Sequence, residues 1–422
     1  MTYPDYRYLL HNLTAPYAVV GELQFTGVRW SLALNDTGEF QGSININDPR
    51  TLTNIGTASG GYNSSLEYIT QPGRVGLIVE YNEVPVWGGI VWTRQWDSEN
   101  QTFSIGAKTY DSWFERRVVK DYNNNTGGLV FDETTDQFQV MVGVNGVLDN
   151  VDAAVFTLKD GTTESGNIGI TFDTTATCGV TLPAQYTVAD TEHKTVMQIL
   201  SDLFQQSTGV DPITDQPIQL GFDWAINVYY DATGALVREF VQYYPRKGNT
   251  DKTSASLPTL DFPGTALSYS WSEDATSMAT AIHGIGPGSG DGVYTIQQTA
   301  NVGYIPVDYP ILEQVESFTQ IPATEVVDAL AQAKADALSV PVITASFVWN
   351  PGWRNTPDVL IEVPVGPAIG EFAVGDLFRV RLLDSRFPNG VEYYLRLTSF
   401  DVSVGDSNSP QLVTGTFATQ TY

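Results

Sequence analysis

The chain has 422 residues, 42% hydrophobic and 12% aromatic, enough for roughly two to four domains with substantial cores. Only 16% of residues are charged, against roughly 25% in typical soluble domains, and 48 acids against 21 bases leave a net charge of −27. That balance argues against specific nucleic-acid binding, which needs a basic stripe, and the single Cys178 excludes an internal disulfide and a thiolate metal cluster.

The opening "MTYPDYRYLLHNLTAPYAVV" lacks a basic stretch followed by a long apolar run, so the expectation is no secretion signal and folding in the cytoplasm. No segment approaches the ~20 apolar residues that span a bilayer, which argues against stable membrane insertion. "GVRWSLALND" and "GEFQGSININDP" read as strands closed by turn residues. "GRVGLIVEYNEVPVWGGIVWTRQW" reads as a hairpin turning at Asn82 to Pro85. Within it, strict alternation puts Trp92 and Trp96 on one face with Ile90 and Arg94, and Gly88 and Gly89 mark a bulge or a close approach of another chain segment. "TYDSWFERRVV" shifts to helical spacing, with Trp113, Arg117 and Val118 on one side and Asp111 as N-cap. Residues 1–123 form the first β unit on this reading.

Residues 124–264 read as an α+β unit with a β-rich insertion at about 129–188. In "DTEHKTVMQILSDLFQQSTG", Val196, Ile199, Leu200, Leu203 and Phe204 recur at helical spacing, with His193 in the first turn and Gly209 as stop. "FDWAINVYYD" and "LVREFVQYYP" form a hairpin about "DATGA", and the polar, Pro/Gly-containing run 246–264 is the clearest boundary. Residues 265–345 hold strands "ALSYSWSED" and "ATAIHGIG", a glycine-rich tip and a helix at about 322–339 opened by Pro322. Residues 346–422 add a hairpin that turns through Asn389-Gly390 and a last strand, "QLVTGTFATQ". The fold class is therefore mainly β with α+β portions, in several domains.

Catalytic signatures are missing from this pattern. His11, His193 and His283 are far apart in sequence and share no metal-ligand spacing, and neither a nucleophile elbow nor a phosphate loop occurs. "GIGPGSGDG" lacks the helix that a phosphate loop requires and reads as a hairpin tip, while Asp97 and Glu99 read as turn residues. No catalytic, cofactor or metal residue is assigned, and the expectation is a protein that is not an enzyme. Trp87, Trp92, Trp96 and Trp113 are assigned to a core or a subunit interface, where strand aromatics bury most area. Trp349 and Trp353 lie in a Pro/Gly-rich loop and are assigned to an exposed partner contact.

The combination "VPVWGGIVWTRQWDSENQTFSIGAKTYDSWFERRVV", with Tyr110, Phe114 and Arg117 in its helix, resembles the first domain of the central tail-hub proteins of long-tailed bacteriophages, the actinobacterial siphophage type above all. "VVDALAQAKADAL", "GEFAVGDLFRVRL" and "SRFPNGVEYYLRLTSFDVSV" resemble the second half of that family. The resemblance implies a hub-like chain with two similar small β-barrels plus accessory domains, the second barrel made by 265–345 and completed by 346–422. It implies a homotrimer in the virion, assembled in the host cytoplasm, that closes the distal end of the tail tube. Its implied partners are the distal tail protein, the tape-measure protein and tip or fibre proteins, with DNA passing through. Two other readings remain open at this stage: a receptor- or carbohydrate-binding tail protein, and a cell-wall hydrolase.

Overall fold

A computed structural model describes residues 6–14, 16–46, 66–119, 128–131, 138–139, 155–157, 163–172, 181–182, 186–206, 209–210, 217–218, 222–243, 246–285, 295–299, 310–317, 331–332, 334–335, 338–339, 341–352, 365–405 and 411–419. Cys178, Pro322, Trp353, the tip 286–292 and most of the 129–188 insertion lie outside them.

The protein is mainly β. The principal strands of the amino-terminal part are β1 (Tyr6–Asn12), β2 (Val19–Leu23), β3 (Thr26–Ala33), β4 (Glu39–Asn45), β5 (Val75–Tyr81), β6 (Val84–Asp97) and β7 (Thr102–Thr109). A middle hairpin follows, β8 (Asp223–Tyr230) and β9 (Leu236–Tyr243). The carboxyl-terminal part supplies β10 (Thr259–Phe262), β11 (Ala266–Asp274), β12 (Val342–Trp349), β13 (Leu377–Leu382), β14 (Val391–Ser403) and β15 (Leu412–Thr419).

All of these except β8 and β9 belong to one 13-stranded sheet, in the order β2-β1-β5-β6-β7-β4-β3-β14-β15-β12-β11, with β13 also on β14 and β10 on β13. The antiparallel pair β3–β14, running from Ser399 opposite Ala33 to Ser403 opposite Arg29, stitches the two ends of the chain together. One apolar core lies against both parts, with Tyr8, Trp30, Phe40 and Trp87 from one side and Phe347, Phe378, Phe400 and Phe417 from the other. Trp30 meets Phe400 edge-on at 5.7 Å across the seam, a favoured aromatic geometry.

The hairpin β5–β6 turns through Asn82 and Glu83, both with positive φ (51° and 67°), the two-residue geometry that matches strand twist. The turn is tighter than expected, and Pro85 stands inside β6 at a register irregularity opposite Glu80. A second irregularity corrects the alternation read from the sequence. Val91 faces Ala107 and Thr93 faces Gly106, so Trp92 is the extra residue of a bulge. Ile90 and Trp92 point to a second core, whereas Arg94, opposite Ile105, and Trp96, opposite Phe103, point to the other face.

The second core holds the 3-10 segment Tyr110–Arg116, helix α1 (Val196–Gln206) and the β8–β9 hairpin. The predicted face of α1 is buried: Val196, Ile199 and Leu203 are at 0% exposure and Leu200 at 1%. Thr195 caps it reciprocally, its Oγ1 accepting from Gln198 N at 3.3 Å while its own N–H donates to Gln198 Oε1 at 2.9 Å. His193 precedes the helix with φ 50° instead of standing in its first turn. Gly88 is explained by this packing: a Cβ there would lie 2.9 Å from the Tyr110 ring and 3.0 Å from Val228. At Gly89 the obstacle is the Lys108 carbonyl, 2.1 Å away.

The segment after β7 is a 3-10 turn, not the predicted helix with Asp111 as cap. Thr109 occupies the N-cap and makes no side-chain capping bond, while Asp111 is buried at 4% exposure. Of the helix expected at 322–339, the described residues Ala331, Gln332, Lys334, Ala335 and Leu338 are helical, and Ala331 and Ala335 pack on Ala279 and Ile282. The strand Ala281–Ile285 lies between Thr295–Thr299 and Glu313–Ser317 in a separate small sheet.

Candidate functional site at the meeting of the chain's three parts

Asp223 begins β8 at 1% exposure, where an ionised carboxylate persists only if its oxygens are satisfied. Its partners come from every part of the chain. Oδ2 accepts from the Lys247 backbone N–H at 2.6 Å and from the Arg396 guanidinium of β14, and Oδ1 accepts from Asn35 Nδ2, in the β3–β4 turn, at 3.1 Å. Asn35 returns the contact, its Oδ1 accepting from Trp224 N at 2.8 Å. Arg396 is itself 9% exposed and spends further donors on the carbonyls of Gly375 (3.1 Å) and Lys247 (3.2 Å). A buried pair so well surrounded contributes geometry more than net stability: its desolvation cost offsets most of its attraction, yet removing one member leaves a stranded charge. The arrangement fixes the angle between the middle hairpin and the large sheet.

Beside this knot lies a cleft of about 400 Å³ between the β3–β4 turn, the start of β6, Asp111 and β8. Pro85, Val86, Ile226 and Val228 give it apolar walls, and Asp36, Asp111 and Lys247 give it charge. Burial pushes the Asp111 carboxyl up to about 7, Asp36 adds to this as a like charge, and the Thr109 and Thr37 hydroxyls pull the other way. Its Oδ2 has no hydrogen-bond partner. Burial also holds the Lys247 ammonium below the usual lysine range, opposed by Asp376 and Asp223.

A third buried polar cluster joins β1 to β9. His11, at 0% exposure, donates from Nδ1 to the Asn12 carbonyl (2.8 Å) and so accepts at Nε2 from the Tyr110 hydroxyl (2.5 Å). Arg238 lies over the Tyr110 ring at 5.5 Å. Burial first, then the Arg238 charge, depress the imidazole to about 4, so it is neutral at ordinary pH. His283 is elsewhere, bonded to Glu313 at 2.9 Å. Asp97 accepts from the backbone of Glu99 and Asn100, the turn role expected of it. Among the described residues no group of three His, Cys, Asp or Glu is placed to hold a metal ion, and no helix is long and apolar enough to cross a membrane.

The tryptophans divide by environment. Trp87 is 1% exposed and donates to the Ser31 carbonyl at 2.9 Å; Trp113 is 8% exposed in the second core. Trp92 is half-buried, bonded to Ser112 Oγ at 2.8 Å. Trp96 is 42% exposed and leans on Phe103, with ring centres 4.8 Å apart. Trp349 corrects the sequence reading: it ends β12 at 0% exposure, against Phe372 and Phe378, with Nε1 donating to the Pro367 carbonyl at 3.0 Å. The Pro-Gly pair that suggested an exposed loop only begins after it. Sequence reasoning missed Asp223 and Arg396, since no local pattern marks a carboxylate whose partner lies 173 residues away, and it took Asp111 for a helix cap.

No family profile matches the chain. No curated protein matches it by sequence. Among solved structures it superposes end to end on the 43 kDa tail protein of prophage MuSo2 from Shewanella oneidensis, with TM-score 0.54, 11% identity, and 97% of this chain and 98% of that chain covered. It also aligns with a tail protein from Neisseria meningitidis MC58 (TM-score 0.49, 10% identity, 98% and 96% covered) and with prophage tail protein gp18 from Listeria monocytogenes EGD-e (0.48, 12%, 98% and 95%). At these identities the likeness is one of fold.

Proposed function

We propose that the chain is a structural protein of a bacteriophage tail, and within it the hub that closes the distal end of the tail tube as a homotrimer. The observation that carries the reading is the end-to-end superposition on the MuSo2 tail protein, which accounts for the whole chain and not one module of it. Three properties of the molecule support it. The Asp223–Arg396 knot ties the middle hairpin to the large sheet, which suits a part that must hold its shape within an assembly. A net charge of −27 disfavours retention of DNA passing through a duct. Trp96, Tyr229 and Ile311, exposed at 42%, 39% and 80%, offer apolar area for neighbouring chains.

On this reading the partners are the distal tail and tape-measure proteins on one side and tip or fibre proteins on the other. The protein acts in the virion after assembly in the host cytoplasm, and it performs no catalysis. Receptor binding through Trp349 loses its support because that ring is enclosed. Immunogold labelling of the source phage lysate tests the assignment. Gold confined to the distal end of long tails is the expected result, and gold on capsids or on no particle overturns it.

A further inference from the structure

A carboxylate without a counter-charge inside a cleft, with one oxygen left without a hydrogen-bond partner, is the feature of this molecule with the least internal justification. Asp111 is 4% exposed and its Oδ2 has no hydrogen-bond partner, although the Thr109 and Thr37 hydroxyls act on the carboxyl. Native proteins rarely leave such groups unsatisfied, because each carries its full desolvation cost. Among the described residues no cation is a main influence on it. The charged group among the main influences on Asp111 is Asp36, another acid. Lys247 shares the cleft, but its ammonium lies over the Tyr243 ring at 5.6 Å, and its backbone N–H and carbonyl are held by Asp223 and Arg396.

The cleft has the shape of what is missing. Pro85 and Val86 from β6 face Ile226 and Val228 from β8, and the acids sit with Thr109 at its polar side. A long basic side chain has the same division, an apolar stem of methylenes and a cationic head. A divalent metal fits less well, since it asks for about six oxygen ligands and the walls here are largely hydrocarbon. A guanidinium also satisfies planar carboxylate oxygens with two donors at once.

We propose that this cleft receives an arginine side chain from a neighbouring protein chain, with the Asp111 carboxylate as its counter-ion, Asp36 as a second acid at the solvent side, and the Val86 and Val228 walls around its stem. The exposure of Asp36 and Tyr229 at the cleft gives such a side chain its entry. Charge complementarity commits the occupant to a basic segment of a protein in place of a sugar or a nucleic acid. The inference does not rest on the tail assignment and stands or falls separately from it.

The test uses the full chain and two peptides, acetyl-Gly-Arg-Gly-amide and its citrulline counterpart, which has the same shape without the charge. Binding is followed by ligand-observed NMR at 0.15 M and 0.5 M salt, the higher salt screening general attraction to an acidic protein. The arginine peptide is expected to bind at least about 10-fold more tightly than the citrulline peptide at both salts. D111N is expected to abolish the difference, D36N to reduce it, and D97N, which alters an exposed turn acid, to leave it unchanged. Circular dichroism confirms that each variant is folded. Equal binding of the two peptides, binding of neither, or discrimination that persists in folded D111N overturns the proposal.

Discussion

Replacing Asp111 by asparagine should make the protein more stable, and by an amount that depends on pH in one direction only. The carboxyl is held at about 7 in the fold against an ordinary value of 3.8, because burial penalises its ionised form. A raised carboxyl binds its proton more tightly folded than unfolded. Its favourable contribution is therefore complete below 3.8 and is lost as pH rises through 7. The interval from 3.8 to about 7 corresponds to about 4 kcal/mol at 1.36 kcal/mol per pH unit. Asparagine has nearly the same shape and never ionises. The stability difference between D111N and the parent should thus be near zero at pH 3.5 and reach about 4 kcal/mol above pH 8. Urea unfolding of both proteins across that range measures it, and all other titrating groups cancel in the difference. Parallel curves, with no growth of the gap between pH 3.5 and 8, would refute the claim that Asp111 is buried without a counter-charge.

The remaining expectations concern the other buried polar groups and the tryptophans. D223A leaves the Arg396 guanidinium uncompensated and should cost about 3–5 kcal/mol in urea unfolding, with D223A/R396M recovering much of it; a cost under ~1 kcal/mol would mean the knot is wet. His11 is depressed to about 4 from 6.5, so the unfolded chain takes up its proton first and the parent should lose about 3 kcal/mol as pH falls from 6.5 to 4. H11Q should lack that loss, and an identical acid profile would show the ring to be solvated. W349A should cost about 3–5 kcal/mol, while W96A, at 42% exposure, should cost under ~1 kcal/mol; thermal midpoints that move equally would place both rings alike.

Much of the local structure was legible because its causes are local. The apolar spacing of Val196, Ile199, Leu200 and Leu203 gives α1 one buried face wherever the helix docks. Asn82 ends a strand because it accepts a positive φ, and Asp231 closes the middle hairpin through its own bonds to Thr233 and Ala235. Alternation placed Trp96 on one face with Trp92 and Ile90, as it would be had the strand stayed regular. The bulge at Trp92 reversed the phase, and nothing in "IVWTRQ" announces it, because a bulge is a property of the paired strands together.

Composition, turn residues and hydrophobic period therefore determined a mainly β chain and the buried face of α1, since each of those signals acts within a few residues. The tertiary structure decided which strands join. It paired β3 with β14 across some 370 residues, enclosed Trp349, and brought Asp223 to Arg396. Such contacts depend on loop closure and on the shape of the surfaces that meet. A short sequence window encodes neither, so the buried acid of the cleft, Asp111, shows itself only when the whole fold is closed around it.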